Sequence, residues 1–260
     1  NGRLERAIRA KRKVIALLHE QKQAIIHRAV TRGLDPTVPL KPSGIPWLGD
    51  IPKQWEVRRL KTLCRVQGGY AFPAAAFGEK GTQVVRMNNL RRGFLNLDSV
   101  VRIPPSECLE AFALKVGDIL YGLSGSIGAT GSLGNYAVVS ESDLPAMLNQ
   151  RVARFMPDKR RIAPAFLVQL IQTSLFYEQV LADTTGTAQF NVSTIDIEKV
   201  SLPLPPIREQ ESIVARIASE ATPLNTATNR LEREIELLRE YRTRLVADVV
   251  TGKVDVRPAA

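Results

Sequence analysis

Twelve polar and basic residues of this chain could hydrogen-bond the edges of nucleobases or their phosphates. Arg86, Asn88, Asn89, Arg91 and Arg92 crowd one short stretch. An arginine guanidinium presents a planar fork of donors that matches guanine O6 and N7. An asparagine carboxamide pairs a donor with an acceptor, as adenine N6 and N7 require. Tyr121, Ser124, Ser126 and Thr130 form a second group in a glycine-rich stretch, where backbone amides can approach phosphates closely. Thr187, Gln189 and Asn191 form a third group in a polar loop, suited to phosphates or base edges. Lys159-Arg160-Arg161 is a basic turn of the kind that touches phosphate. Against each stands the bland reading of an ordinary solvated loop residue.

No comparable constellation exists for catalysis or metal binding. The Asp/Asn-Pro-Pro-Tyr/Phe motif of amino-methyltransferases is absent, and Pro203-Leu204-Pro205-Pro206 lacks the polar residue that would hold a target amine. No Gly-Lys-Ser/Thr phosphate loop occurs, which argues against motor activity. His19 and His27 sit on one predicted helix without a Cys or carboxylate cluster and read as surface residues. Pro157-Asp158 starts like a nuclease motif, but no Glu-x-Lys follows at useful spacing, so it reads as a turn. Cys64 and Cys108 lack CxxC spacing and read as free thiols in a reducing cytosol.

Composition bounds the rest. The chain has 260 residues, is 44% hydrophobic and carries a net charge of +10. That apolar content can bury one or two cores, which excludes wholesale disorder. No apolar run is long enough for a membrane-spanning helix, and the N-terminus opens no signal-peptide core. Residues 1–40 hold nine Lys and Arg against three Asp and Glu, while residues 211–260 hold eight of each. A basic field concentrated at one end favours a polyanion partner.

An internal repeat supplies the elements that must carry these loops. Leu4, Ile8, Lys11, Ile15, Leu18, Lys22, Ile25 and Ala29 follow a 4-3 spacing, and Leu224, Thr228, Leu231, Ile235, Leu238, Arg242, Leu245 and Val249 repeat it at an offset of 220. The pattern is that of a coiled-coil seam. Lys22 and Arg242 occupy the same seam position, with stems expected to be buried and charges in water. Gly33 and Gly252 follow the two helices as C-caps would. The expectation is an antiparallel rod of ~39 Å; the plainer possibility is two amphipathic helices lying on a globular core.

Between the helices, residues 34–55 carry five prolines and read as an extended linker anchored by packing of Trp47, Ile51 and Trp55. Short strands are expected at 83–87, 99–103, 118–121 and 151–155. Gly122, Gly125, Gly128, Gly131 and Gly134 recur at every third residue, which suggests tight hairpin turns exposing Ser124, Ser126 and Thr130. One helix is expected over 165–181, a second at 194–199 capped by Ser193, an extended run at 201–206 and a helix from Ile207 that Pro223 interrupts.

Several segments together resemble the specificity (S) subunits of type I restriction-modification systems. They are Gln21-Lys22-Gln23-Ala24-Ile25-Ile26 with Ala29-Val30-Thr31-Arg32-Gly33; Ser43-Gly44-Ile45-Pro46-Trp47-Leu48-Gly49-Asp50-Ile51-Pro52 with Trp55-Glu56-Val57; Gly117-Asp118-Ile119-Leu120; Asn149-Gln150-Arg151; and Gly186-Thr187-Ala188-Gln189-Phe190-Asn191. The most specific is Leu202-Pro203-Leu204-Pro205-Pro206-Ile207-x-Glu209-Gln210, followed by Ile213-Val214. The resemblance implies an α+β fold: one mixed α/β target recognition domain flanked by two long helices packed as an antiparallel coiled coil. Residues 1–33 would be a conserved spacer helix, 34–205 the recognition domain and 206–260 the distal conserved helices.

The resemblance further implies a non-catalytic, cytoplasmic component that reads one half of a bipartite double-stranded DNA target. Methyltransferase (M) subunits and restriction/motor (R) subunits would be its partners, and S-adenosylmethionine, ATP and Mg would belong to those partners. One recognition domain is present where the family has two. The expectation is therefore a C-terminal half preceded by another recognition domain, or a half-subunit that pairs with a second copy of this chain. A rod of ~39 Å is close to one turn of B-DNA, about 34–36 Å. A stand-alone DNA-binding regulator and a coiled-coil adaptor are the competing readings. Arg91→Ala combined with Arg92→Ala should weaken binding to the cognate half-site; equal affinity at matched salt removes that loop from the interface.

Overall fold

Burial along the two long helices follows the 4-3 spacing. In the computed structural model, which describes residues 2–127, 131–182, 190–251 and 253, α1 spans Gly2–Arg32 and every seam position from Leu4 to Ala29 is buried or half-buried. Val14 and Leu17, off the seam, are exposed. The last helix of the chain, Ile207–Val250, repeats the pattern from Leu224 to Val249. Partner numbers fall on one helix as they rise on the other: Glu5 meets Arg242, Lys11 meets Glu234, and Lys22 Nζ donates to Asn225 Oδ1 at 2.9 Å. The pair is thus an antiparallel coiled coil. Lys22–Asn225 and Arg242–Glu5 are the same two positions carried through the sequence offset, so the helices are related by an approximate two-fold axis. The cation within each seam is half-buried, as expected, but its charged end meets a polar partner on the other helix, Asn225 for Lys22 and Glu5 for Arg242, where the sequence reading placed it in water.

The helical pair, residues 1–28 and 215–260, forms one compact unit and residues 29–214 form another. Within the second, β1 (Leu40–Pro42), β2 (Asp50–Pro52), β3 (Glu56–Arg59), β4 (Cys64–Gly68), β5 (Thr82–Val85), β6 (Val101–Ile103), β7 (Ile119–Gly122), β8 (Ser124–Gly125), β9 (Tyr136–Val138), β10 (Ala146–Leu148) and β11 (Val152–Pro157) come first. Then follow α2 (Pro164–Ile171), α3 (Ser174–Ala182), β12 (Phe190–Asn191), α4 (Thr194–Lys199), β13 (Ser201–Leu204) and the long helix, α5. One sheet has the order β4-β11-β7-β9 and a second the order β10-β5-β6, with β10 parallel to β5. Alternation places Val84 and Val85 on opposite faces of β5, each in its own apolar cluster. On β7, Leu120 packs in the cluster of Val85, whereas Tyr121 stacks with Phe155 and Phe176.

The motif residues at the ends of this unit are structural. Trp55, fully buried, donates Nε1–H to Glu209 Oε1 at 2.9 Å. Gln210 is also fully buried: its Oε1 accepts from Ala163 N, and its Nε2 donates to Pro205 O and Arg161 O. Gly33 caps α1 with φ +73°, and a Cβ there would stand 3.3 Å from both Glu209 Oε1 and Trp55 Cζ2. Asp118 accepts from Lys115 N and pairs with the buried Arg154 at 3.1 Å, while that guanidinium also donates to Gln67 Oε1 and to the Ala111 and Ala113 carbonyls.

Four expectations are corrected. Residues 34–55 are not merely extended: β1 and β2 pair as a hairpin, with Leu48 and Ile51 buried. Trp47 does not pack with them and is 53% exposed. The helix expected over 165–181 is broken between α2 and α3, where Thr173 Oγ1 donates to Leu170 O and accepts from Phe176 N. Pro223 does not interrupt α5, which runs through it. The proline is exposed, so the carbonyl deprived of its partner can be hydrated, and the buried positions Ile217, Ala221 and Thr228 continue across it. The expected C-cap Gly252 and the repeat glycine Gly128 lie outside the described residues. Cys64 and Cys108 are free thiols, and burial pushes Cys64 up to about 12.

Asp118→Ala leaves the Arg154 guanidinium buried without its anion. The expected cost is about 3–5 kcal/mol, read from urea unfolding at neutral pH; a change under 1 kcal/mol would show the pair to be dispensable.

Candidate nucleic-acid interface

Four segments far apart in sequence, at 86–88, 124, 149–151 and 191, converge where the two sheets meet. Residues 149–151 carry the chain from β10 of one sheet into β11 of the other. Asn149 N donates to Val85 O at the end of β5, Gln150 N to Tyr70 O just after β4, and Leu123 N to Arg151 O just after β7. Gly69 makes this clamp possible: a Cβ there would lie 2.1 Å from Asn149 O, a separation no side chain tolerates. Leu123 O also accepts from Val192 N, and β8 pairs with β12 so that Ser124 lies opposite Asn191.

The convergence encloses an open cleft of about 370 Å³, lined by Arg86, Met87, Asn88, Ser124, Asn149, Arg151 and Asn191. Among the described residues, no carboxylate lines it. Two other clefts of similar size include acids, Asp158 and Glu198 in one and Glu56 in the other. Those clefts also hold two basic residues each, Lys61 with Arg65 and Arg160 with Arg161, so their charge is partly or wholly offset, whereas the Arg86 and Arg151 charges of the third cleft are not offset by any described lining residue. Arg86 lies with Cζ 5.9 Å from the Phe77 ring centroid, a cation–π contact, and its buried Nε has no hydrogen-bond partner. Ser124, only 4% exposed, donates to Met87 Sδ at 3.2 Å.

The structure sorts the twelve residues singled out in the sequence. Arg86, Asn88, Ser124 and Asn191 are brought together in the cleft, Ser124 buried at its wall rather than exposed. Ser126 is exposed. Arg91 folds back, its Nη1 donating to the carbonyls of Asn88 and Leu90, so it braces the loop. Arg92 is exposed, with its charge near Tyr136.

Two residues are misplaced by the sequence reading. Asn89 is 1% exposed and closes the turn, accepting from Arg86 N and donating to Asn96 O. Tyr121 is fully buried in the aromatic stack, and burial drives its phenol upward. Neither side chain is open to a ligand. Thr130, Thr187 and Gln189 lie outside the described residues. In the basic turn all three residues are exposed; Arg160 pairs with Asp158 and Arg161 donates to Thr62 O. Asn149 and Arg151 were missed as site residues, although the segment Asn149-Gln150-Arg151 was itself a motif signal.

A family model described as the type I restriction modification DNA specificity domain matches residues 52–237. The chain is 27% identical over 248 residues to the MjaVIII type I restriction enzyme specificity subunit of Methanocaldococcus jannaschii, covering 94% of this chain and 56% of that protein. It is 29% identical over 234 residues to the EcoAI specificity subunit of Escherichia coli, covering 89% of this chain and 38% of that protein. The chain thus spans about half the length of its relatives, or less. Among solved structures, a chain from work on complex assembly and conformational transition of the type I R-M system matches with a TM-score of 0.65 at 16% identity, over 95% of this chain and 55% of that one. The HsdS subunit from Thermoanaerobacter tengcongensis matches with a TM-score of 0.53 at 16% identity, over 92% and 54%. These likenesses show a shared fold.

Gly69→Ala should destabilise the domain by about 1–3 kcal/mol and speed hydrogen exchange at Gln150 and Val152. Gly68→Ala, whose Cβ would meet Thr194 Cγ2 at an ordinary 3.7 Å, is the control. Equal exchange in both variants would contradict the clamp.

Proposed function

The chain belongs to the type I restriction modification DNA specificity domain family, and from that premise we propose that it reads one half of a bipartite duplex target for a type I restriction-modification complex. The observation that carries this reading is the cleft lined, among the described residues, by polar and basic side chains without an acid, where donors from four separate segments stand on a clamped backbone. Such an arrangement suits direct readout, in which fixed side chains match the donor and acceptor pattern of base edges in the major groove. Exposed Lys and Arg around the domain would add sequence-independent attraction to the duplex.

In this reading the chain itself performs no chemistry. Methyltransferase subunits act on the DNA it selects, and motor-nuclease subunits join them for restriction. S-adenosylmethionine, ATP and Mg serve those partners. The coiled coil supplies a stiff element with a length close to one helical turn of DNA, suited to spacing this reader from a second recognition domain or a second copy of the chain.

Sequencing the methylome of the host with and without the gene tests the proposal. Loss of one bipartite methylated motif on deletion is expected, together with recovery of a methyltransferase when the tagged chain is purified from its host. An unchanged methylome and a chain that purifies without a methyltransferase would contradict it.

A further inference from the structure

Asn149 combines two properties that a merely structural asparagine does not. It is only 8% exposed, and among the described residues its carboxamide makes no hydrogen bond. Among the described residues, the buried polar side-chain atoms without a partner are Arg86 Nε and Tyr121 Oη and not those of Asn149, so its carboxamide keeps access to solvent and lines the cleft, where water or a ligand edge can meet it. Its backbone cannot move to find another partner, because Val85, Val152 and the Gly69 contact hold it. Two residues on, Arg151 is exposed, and among the described residues its guanidinium has no ion pair or hydrogen bond. Its carbonyl is fixed by Leu123 N, so the base of this long side chain is held at the rim. Arg86, restrained on Phe77, adds a second cation to the cleft, which among the described residues has no carboxylate in its lining.

We infer that Asn149 and Arg151 are specificity-determining residues that hydrogen-bond the major-groove edge of a purine in the target, with Arg86 supplying a fixed positive charge beside them. The inference rests on the DNA-reading assignment above and assigns that role within it. Purines are the bases that offer N7 as an acceptor next to a second polar group, O6 in guanine or N6 in adenine. Arginine and asparagine are the side chains whose geometry takes those two pairs. A phosphate would also attract the two arginines, but it is acceptor-only and would use just the donor half of the Asn149 carboxamide.

The test is the methylated motif in hosts carrying Asn149→Ala or Arg151→Gln in the full-length gene. Each variant should lower the preference for a purine at one position of one half-site by roughly 10- to 100-fold, leaving the other half-site intact. Arg151 is exposed, so its variant folds and remains decisive even if Asn149→Ala does not. A motif kept unchanged while methylation falls at all sites alike would mark a phosphate contact and overturn the assignment. An unchanged motif at unchanged levels would place the reader elsewhere and overturn it too. A wild-type gene with no associated motif would instead defeat the DNA-reading assignment on which this one stands.

Discussion

The turn at residues 149–151 is the constraint on which the mixed domain depends. There the chain leaves one sheet and enters the other, and its backbone is hydrogen-bonded to the ends of β4, β5 and β7. A glycine at position 69 brings two backbones closer than any side chain would allow. The consequence is a set of side chains whose stems cannot drift, standing between strands that the core fixes from below. Binding residues positioned by a rigid scaffold form hydrogen bonds with little further loss of conformational entropy.

Much of what marks the sequence as a family member is scaffold rather than reader. Gln210 satisfies one amide and two carbonyls in the interior, and Glu209 anchors the Trp55 indole. Asp118 neutralises Arg154 where that guanidinium crosses the sheet. These polar groups are buried or half-buried with their partners supplied, which makes each expensive to change singly. The cleft is the reverse case: among the described residues, Arg86 Nε is buried without a partner and neither Asn149 nor Arg151 has a side-chain hydrogen bond.

The helices were the most legible part of the sequence, because a seam repeated over many turns leaves little freedom in which face is covered. The antiparallel pairing was an expectation that the shared offset by itself does not fix; the pairs Glu5–Arg242, Lys11–Glu234 and Lys22–Asn225 set its direction and register. Strands at 83–87, 118–121 and 151–155 were also legible, since both faces of these short runs are apolar. Position within loops was not. Asn89 and Asn88 are neighbours of the same type, yet one closes the turn and the other lines the cleft, and only backbone geometry separates them. Tyr121 looked polar because of its hydroxyl, but its ring is what packs. Trp47 was expected in a core that the hairpin does not extend far enough to give it. Asn149 and Arg151 escaped notice because their significance lies in contacts with residues 69, 85 and 123, far away along the chain.

A structure of the assembled complex on a duplex containing its methylated motif would decide the central claim. A purine edge is expected in the cleft between Arg86, Ser124, Asn149 and Asn191, within hydrogen-bond distance of the Asn149 carboxamide and the Arg151 guanidinium. A duplex contacting this domain on another face, with that cleft open to solvent, would contradict it.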